Sequence, residues 1–294
     1  MASLFELPEH PELRDPFMVM HLTGWTDAGL AGETASEFLR SAWNAERLVE
    51  FDADELLDFR ARRPVVRIAN GLVESVTWTG IELWLAKGEP GQRDALLLTG
   101  PEPDFRWRGF CEEVVRACTE LGVSEVFGLG AFPAPAVHTD PVQIIGTSAD
   151  PELATRLTVV PAIVELSAGV QTMLEHRLHK AGFPTLGIWA RVPPYLAGGA
   201  HPPAALALVR TLILLSGLDI ETTELEMAAA EHLEQVDMAV QERPQIAELI
   251  EQIRSVAGDE EPGMGVPSGD EIAAELERFL SQQPPPGESD DPDR

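Results

Sequence analysis

Lysine is nearly missing from this chain, which carries only Lys87 and Lys180, and bases of both kinds total 21 against 49 acids. The resulting formal charge of −28 repels phosphate backbones and anionic lipid at long range, which argues against nucleic acid and membrane surfaces as partners. Long apolar runs are absent too, and none reaches the roughly 18 residues needed to span a bilayer. The first stretch, MASLFELPEHPELRDP, is acidic and punctuated by proline where a signal peptide needs a basic start and an apolar core, so the expected location is the cytoplasm. Of the scarce residues, the two cysteines, Cys111 and Cys118, fall on one predicted helix about 10 Å apart along its axis, too far for a disulfide. They read as small buried side chains rather than a redox or metal pair. G-x-S-x-G, H-E-x-x-H, C-x-x-C and the calcium-loop pattern are all missing, so no catalytic residue, cofactor or metal is assigned.

What is present begins with PFMVMHLTGWTDAG. Phe17 to Leu22 is an almost unbroken apolar run of strand length, the pattern of a strand covered on both faces. Gly24 and Gly29 permit a tight turn, and from Leu30 onward the apolar residues Ala31, Ala35, Phe38, Leu39 and Ala42 keep helical spacing. Further strands are predicted at 47–51, 65–69, 72–78, 81–85, 95–99, 123–129, 142–146 and 186–192. Asn70-Gly71 predicts a two-residue hairpin, and Thr79-Gly80 a weaker one. Helices near 108–121 and 168–181 alternate with the remaining strands, so the fold class is α/β with a mixed sheet flanked by helices.

The helix expected at 203–216 is apolar almost all round and calls for burial within the domain or against another subunit. Strand signals then stop, and helices follow near 222–240, 244–256 and 270–281, with Pro244 suited to a first turn and Asp270 to an N-cap. The 294 residues therefore divide into an α/β domain (1–218), an acidic helical module (219–281) and a disordered acidic tail (282–294). Residues 221–294 hold 20 acids and 4 bases, so −16 of the charge sits in the last quarter.

Three groups of residues invite a functional reading. The first is Gly24, Trp25, Asp27 and Gly29. GWTDAG matches no phosphate loop, and a carboxylate at a helix N-terminus occupies the place an anion would take, so Asp27 reads as a cap and Trp25 as core or interface. The second is Arg60, Arg62, Arg63 and Arg67, a basic island that either pairs with the acidic helical module or binds a phosphate or carboxylate. The third is His138 and Thr139 in a loop after a predicted strand, at the sheet edge where ligands of α/β proteins bind. Glu175, His176 and His179 have ligand-like helical spacing, lack further ligands and read as surface residues.

GWTDAG, FRARRP, the loop ending in HTDP with GTSAD behind it, WARVPPYL and GDEIAAELERFL, in that order from about residue 13 to 280, resemble the proteasome assembly chaperone 2 family in its actinobacterial form. The resemblance implies a phosphorylase/hydrolase-like α/β fold with a C-terminal helical extension. It also implies a ring-like homo-oligomer, with a trimer favoured, and proteasome subunits as partners. Tyr195 enters the candidate site through the WARVPPYL motif. Bacterial relatives often carry a histidine where Pro194 precedes Tyr195, and a basic residue where this chain has Asp140. Archaeal relatives dock through a C-terminal hydrophobic-tyrosine motif, whereas the single tyrosine here is internal. The expected function is a non-catalytic, homo-oligomeric binding or assembly protein. The alternative is a small-molecule-binding protein or enzyme on a nucleoside-phosphorylase-like fold.

Overall fold

A computed structural model describes residues 3–7, 11–160 and 163–258. The chain divides into a main unit, residues 1–160 and 168–259, and a second unit of which only 163–167 are described, as an irregular exposed stretch. The helix expected at 270–281 and the tail at 282–294 lie outside the described residues.

The main unit is built on a seven-stranded mixed sheet, confirming the α/β expectation. In spatial order its strands are β2 (Glu46–Glu50), β5 (Glu82–Ala86), β6 (Ala95–Pro101), β1 (Phe17–Thr23), β7 (Val126–Pro133), β9 (Thr185–Val192) and β8 (Ile144–Thr147). β6, β1, β7 and β9 run parallel, while β2 and β5 on one side and β8 on the other add antiparallel edges. The first strand of the chain is thus the central one.

Alternation along β1 divides two cores. Phe17 and Val19 pack with Leu97 and Phe127 beneath α1 (Ala31–Ala42) and α6 (Pro202–Ser216). Met18, Met20 and Leu22 face the other way, with Leu96 and Leu98, toward α3 (Trp107–Leu121) and α5 (Val170–Lys180). Each fully buried Phe or Leu stabilises the fold by about 1.5–3 kcal/mol, which explains why the central strands read as continuous apolar runs. Cys111 and Cys118 lie in the second core as buried free thiols, and burial pushes them up to about 11 and about 12.

Helix α6 lies between two layers over most of its length, although Leu214 is left 85% exposed. Ala205, Leu208, Val209 and Leu212 join the sheet core, and α7 (Thr223–Glu242) covers it from outside with Leu225 and Ala229. α8 (Pro244–Gly258) packs on α7, with Pro244 opening it as expected. Two single-turn helices, α2 (Ala53–Leu56) and α4 (Pro151–Ala154), are capped by Asp52 and Asp150.

A separate two-stranded ribbon, β3 (Val65–Ala69) and β4 (Leu72–Thr77), is closed by Asn70-Gly71, both at positive φ (52° and 80°), as a primed hairpin turn requires. The second expected hairpin is corrected. Thr79-Gly80 does not join paired strands, because β5 pairs with β2 and β6 and leaves β4 in the ribbon. Gly80 instead marks where the chain enters the main sheet, and a Cβ on Gly100 would meet the Gly80 carbonyl at 2.5 Å.

Candidate functional site

The parallel strands end together at one edge of the sheet, and their connections carry most of the residues singled out above. Gly24, at φ 143°, starts the turn after β1, where a Cβ would press on Glu102 at 3.1 Å. Asp27 then caps α1 as expected, its two carboxylate oxygens accepting from Gly32 N at 2.8 Å and Glu33 N at 3.0 Å. Glu102, in the loop after β6, does the same for α5, accepting from Val170 N at 2.7 Å. The N-termini of α1 and α5 therefore hold the chain's own carboxylates in the place of an anionic ligand, whereas α3 and α6, which also start at this edge, receive no side-chain cap from Arg106 and His201 before them. Trp25, read as core or interface, is 57% exposed and so lies outside the core.

Between β1 and β7 the sheet opens. Their ladder stops at Met20–Gly128, while β1 stays paired with β6 as far as Thr23–Pro101. The backbone groups left over are satisfied by a side chain from α5: Gln171 accepts from Leu22 N (3.3 Å) and donates to Leu129 O (3.1 Å). His21 Nδ1 reaches the same carbonyl at 3.0 Å, and its Nε2 lies 3.3 Å from Asp27 Oδ2, too poorly aligned for a hydrogen bond. One helical turn beyond Gln171 sits Glu175, which corrects its reading as a surface residue. Its carboxyl is buried over Gly128 and Gly187, where any Cβ would collide with it. Burial pushes Glu175 up to about 8, so it is mostly protonated at neutral pH. His176 is exposed and His179 partly so, and no group of three or more His, Cys, Asp or Glu among the described residues is placed to hold a metal.

The third group converges on α7. His138 Nδ1 faces the Tyr195 hydroxyl at 2.8 Å, and the same oxygen accepts from His138 N at 2.9 Å. His138 Nε2 lies 3.0 Å from Asp237 on α7, so one chain of hydrogen bonds ties the loops after β7 and β9 to that helix. Every group is satisfied when Nε2 donates to Asp237 and the phenol donates to Nδ1. Burial raises the Tyr195 pKa further, keeping it a phenol. Thr139 accepts from Arg254 of α8 at 3.2 Å. His201, before α6, approaches His232 of α7 (Nδ1 to Nε2, 3.1 Å), and burial drives His201 down to about 4 and lowers His232 as well. The pair is neutral at pH 7 and shares one proton between facing nitrogens.

Beside this cluster lies a cleft of about 510 Å³, lined by His138, Asp140, Arg191, His201, Arg210 and Glu226 together with apolar groups of α6 and α7. Arg210 is paired with Glu226 at 2.6 Å and Arg191 donates to Gln143 at 2.7 Å. The GWTDAG turn braces the cluster from below: Gly29 N donates to Ala197 O (2.9 Å) and His201 N donates to Gly29 O (2.7 Å). A Cβ on Gly29 would meet His201 Cβ at 2.7 Å.

The arginine island is not drawn into this arrangement. Arg62 pairs with Asp104 in the loop after β6 and Arg67 with Glu74 across the ribbon, so the partner acids belong to the α/β body and not to the C-terminal helices. Arg60 and Arg63 are exposed. Sequence reasoning reached His138, Thr139 and Tyr195 and missed His201, His232 and Asp237. The one local signal was His201 standing in the N-cap position before Pro202-Pro203.

A Streptomyces avermitilis PAC2 family protein is 36% identical with TM-score 0.71, over 76% of this chain and 95% of that one. A Mycobacterium tuberculosis protein of unknown function is 29% identical with TM-score 0.81, over 96% and 97%. A Mycobacterium tuberculosis proteasome-assembly chaperone homologue is 28% identical with TM-score 0.73, over 79% and 98%. Among curated proteins none matches. The PAC2 family profile matches residues 21–240, from the buried His21 to the last turn of α7, and the chain belongs to the PAC2 family.

Proposed function

We propose that the chain is a non-catalytic, cytoplasmic assembly protein that works as a homotrimer and binds proteasome components. The observation that carries this reading is the closure of the sheet edge by the chain's own groups. Asp27 and Glu102 cap α1 and α5, Gln171 fills the gap between β1 and β7, and His138, Tyr195 and Asp237 satisfy one another. Such an edge serves as a rigid platform, leaving outer surfaces to meet partners. The proteasome-assembly chaperone homologue supports the choice of partner. The acidic helices from 219 onward form the partner-facing module in this reading. The test is to mix the purified chain with purified proteasome α-type and β-type subunits and follow complex formation by size-exclusion chromatography with light scattering. A co-eluting complex with either subunit supports the reading, and no complex with either at micromolar concentration overturns it.

The cleft beside His138 favours a second reading, since about 510 Å³ falls in the range of small-molecule pockets. Here the protein is a ligand sensor, and native mass spectrometry of protein purified from its own cells would show a bound mass lost on denaturation.

A further inference from the structure

Three of the seven histidines gather where α7 meets the α/β body: His138 faces Asp237 of α7, and His201 faces His232. The two contacts answer acid differently. Asp237 gives His138 a carboxylate partner at 3.0 Å, whereas His201 Nδ1 and His232 Nε2 face only each other, at 3.1 Å with the ring centroids 5.1 Å apart. Among the described residues no carboxylate lies within ion-pair distance of either ring of that pair. One of the two nitrogens donates and the other accepts, so the contact lasts while a single proton lies between the rings. When both rings are charged, each presents an N–H and a positive charge to the other, and the bond becomes a repulsion.

His201 has no room to give way. It is 1% exposed, its amide donates to Gly29 O at 2.7 Å, a Cβ on Gly29 would meet its Cβ at 2.7 Å, and Pro202 and Pro203 follow it. The part that can yield is therefore α7, which rests on α6 through Leu225 and Ala229. Its acids on this side are already engaged, Glu226 with Arg210 and Asp237 with His138. The remaining polar groups around the pair are Asp140 after β7, Arg191 on β9, Arg254 on α8 and the Tyr195 phenol.

Burial, then the neighbouring His232 and His138, drive His201 down to about 4, and burial followed by His138 lowers His232. A lowered imidazole contributes its full stability above the ordinary value of 6.5 and loses it as pH falls toward 4. We propose that His201 and His232 act as an acid-sensitive latch, in which the shared proton holds α7 against α6 at neutral pH and the charging of both rings releases the helix and opens the cleft beside it. This goes beyond both readings above and holds with or without a ligand in the cleft.

The test is hydrogen exchange of the full chain, followed by mass spectrometry at pH 7 and pH 5 with rates corrected for the intrinsic effect of pH. A site lowered from 6.5 to about 4 predicts a loss of protection of roughly tenfold or more across α7 at pH 5, while β1 and β7 stay protected. His232→Gln does not titrate and keeps an amide to face His201, so α7 should be equally protected at both pH values in that variant. Unchanged protection of α7 in the wild type, a loss shared equally by β1 and β7, or an equal loss in His232→Gln overturns the proposal. Should the variant fail to fold, Ala229→Cys probes the same contact, because Ala229 is 5% exposed and the native cysteines are buried. The reagent 4,4′-dithiodipyridine, which modifies thiols in acid, should label it roughly tenfold faster at pH 5 than at pH 7 after normalisation to free cysteine, and equal rates refute the latch. Neither measurement involves a proteasome subunit or a ligand, so failure of the latch leaves the readings above standing, and their failure leaves the latch.

Discussion

β1 and β3 are both short, apolar strands, yet Phe17 to Leu22 are buried on both faces and Val65 to Ile68 exposed on both. The difference lies in what the chain places above them. β1 sits between two strands and two helix layers, whereas β3 has one partner and no helix. An apolar strand thus states only that something must cover it, and in one of these cases the cover is intramolecular.

The largest effect separates the two regions outright. Phe127→Ala in β7 should destabilise the fold by about 3–5 kcal/mol in denaturant titration, because the cavity adds to the lost transfer energy. Stability of the buried region should also depend on pH. Folding raises Glu175 from 4.5 to about 8, so between those values the folded state holds a proton that the unfolded state has lost. Stability then falls as pH rises through that window, by up to about 1.4 kcal/mol per pH unit. His201, lowered from 6.5 to about 4, acts in the opposite sense, and its contribution is lost as pH falls through that range. His232 is lowered too and adds to the His201 contribution, so the Glu175 slope dominates only at about pH 7.5 to 8, where few imidazoles of the unfolded chain remain protonated, and Glu175→Gln should flatten the melting temperature there. A melting temperature equally dependent on pH in the variant refutes this account.

A smaller effect, about 1–3 kcal/mol, is expected for Gln171→Ala, which strands the Leu22 amide in the core and leaves the Leu129 carbonyl to His21 alone. Faster hydrogen exchange at the Leu22 amide would accompany it. The smallest belongs to the ribbon, where Val66→Ser should change the stability of the dilute chain by no more than about 0.5 kcal/mol. A ribbon variant as damaging as Phe127→Ala would erase the distinction between the regions.

Local patterns foretold most of the elements. The apolar run after Pro16, Asn70-Gly71, Pro244 and the Asp27 cap all act within a few residues, and each stands where its chemistry places it. The helix at 203–216 announced its burial by its apolar faces, although the exposed Leu214 shows that not every apolar position is covered. Long-range pairing was harder to read. Thr79-Gly80 resembles a hairpin turn as closely as many real ones, and only the partnership of β5 with β2 and β6 shows that it is a crossing. Glu175 carries no mark of burial, since its environment comes from Gly128 and Gly187 on two other strands. His138 and Tyr195 drew attention separately, but their meeting with Asp237 depends on how α7 lies over α6.

The brace formed by Gly29 bears on the order of folding. Its two backbone hydrogen bonds go to Ala197 and His201, near the end of the α/β region, although it belongs to the first turn of the chain. The central strand and its turn are synthesised first and gain their last contacts late. During translation β1 can gain its neighbours β6 and β7 first, while the Gly29 turn waits until the segment beyond β9 has left the ribosome.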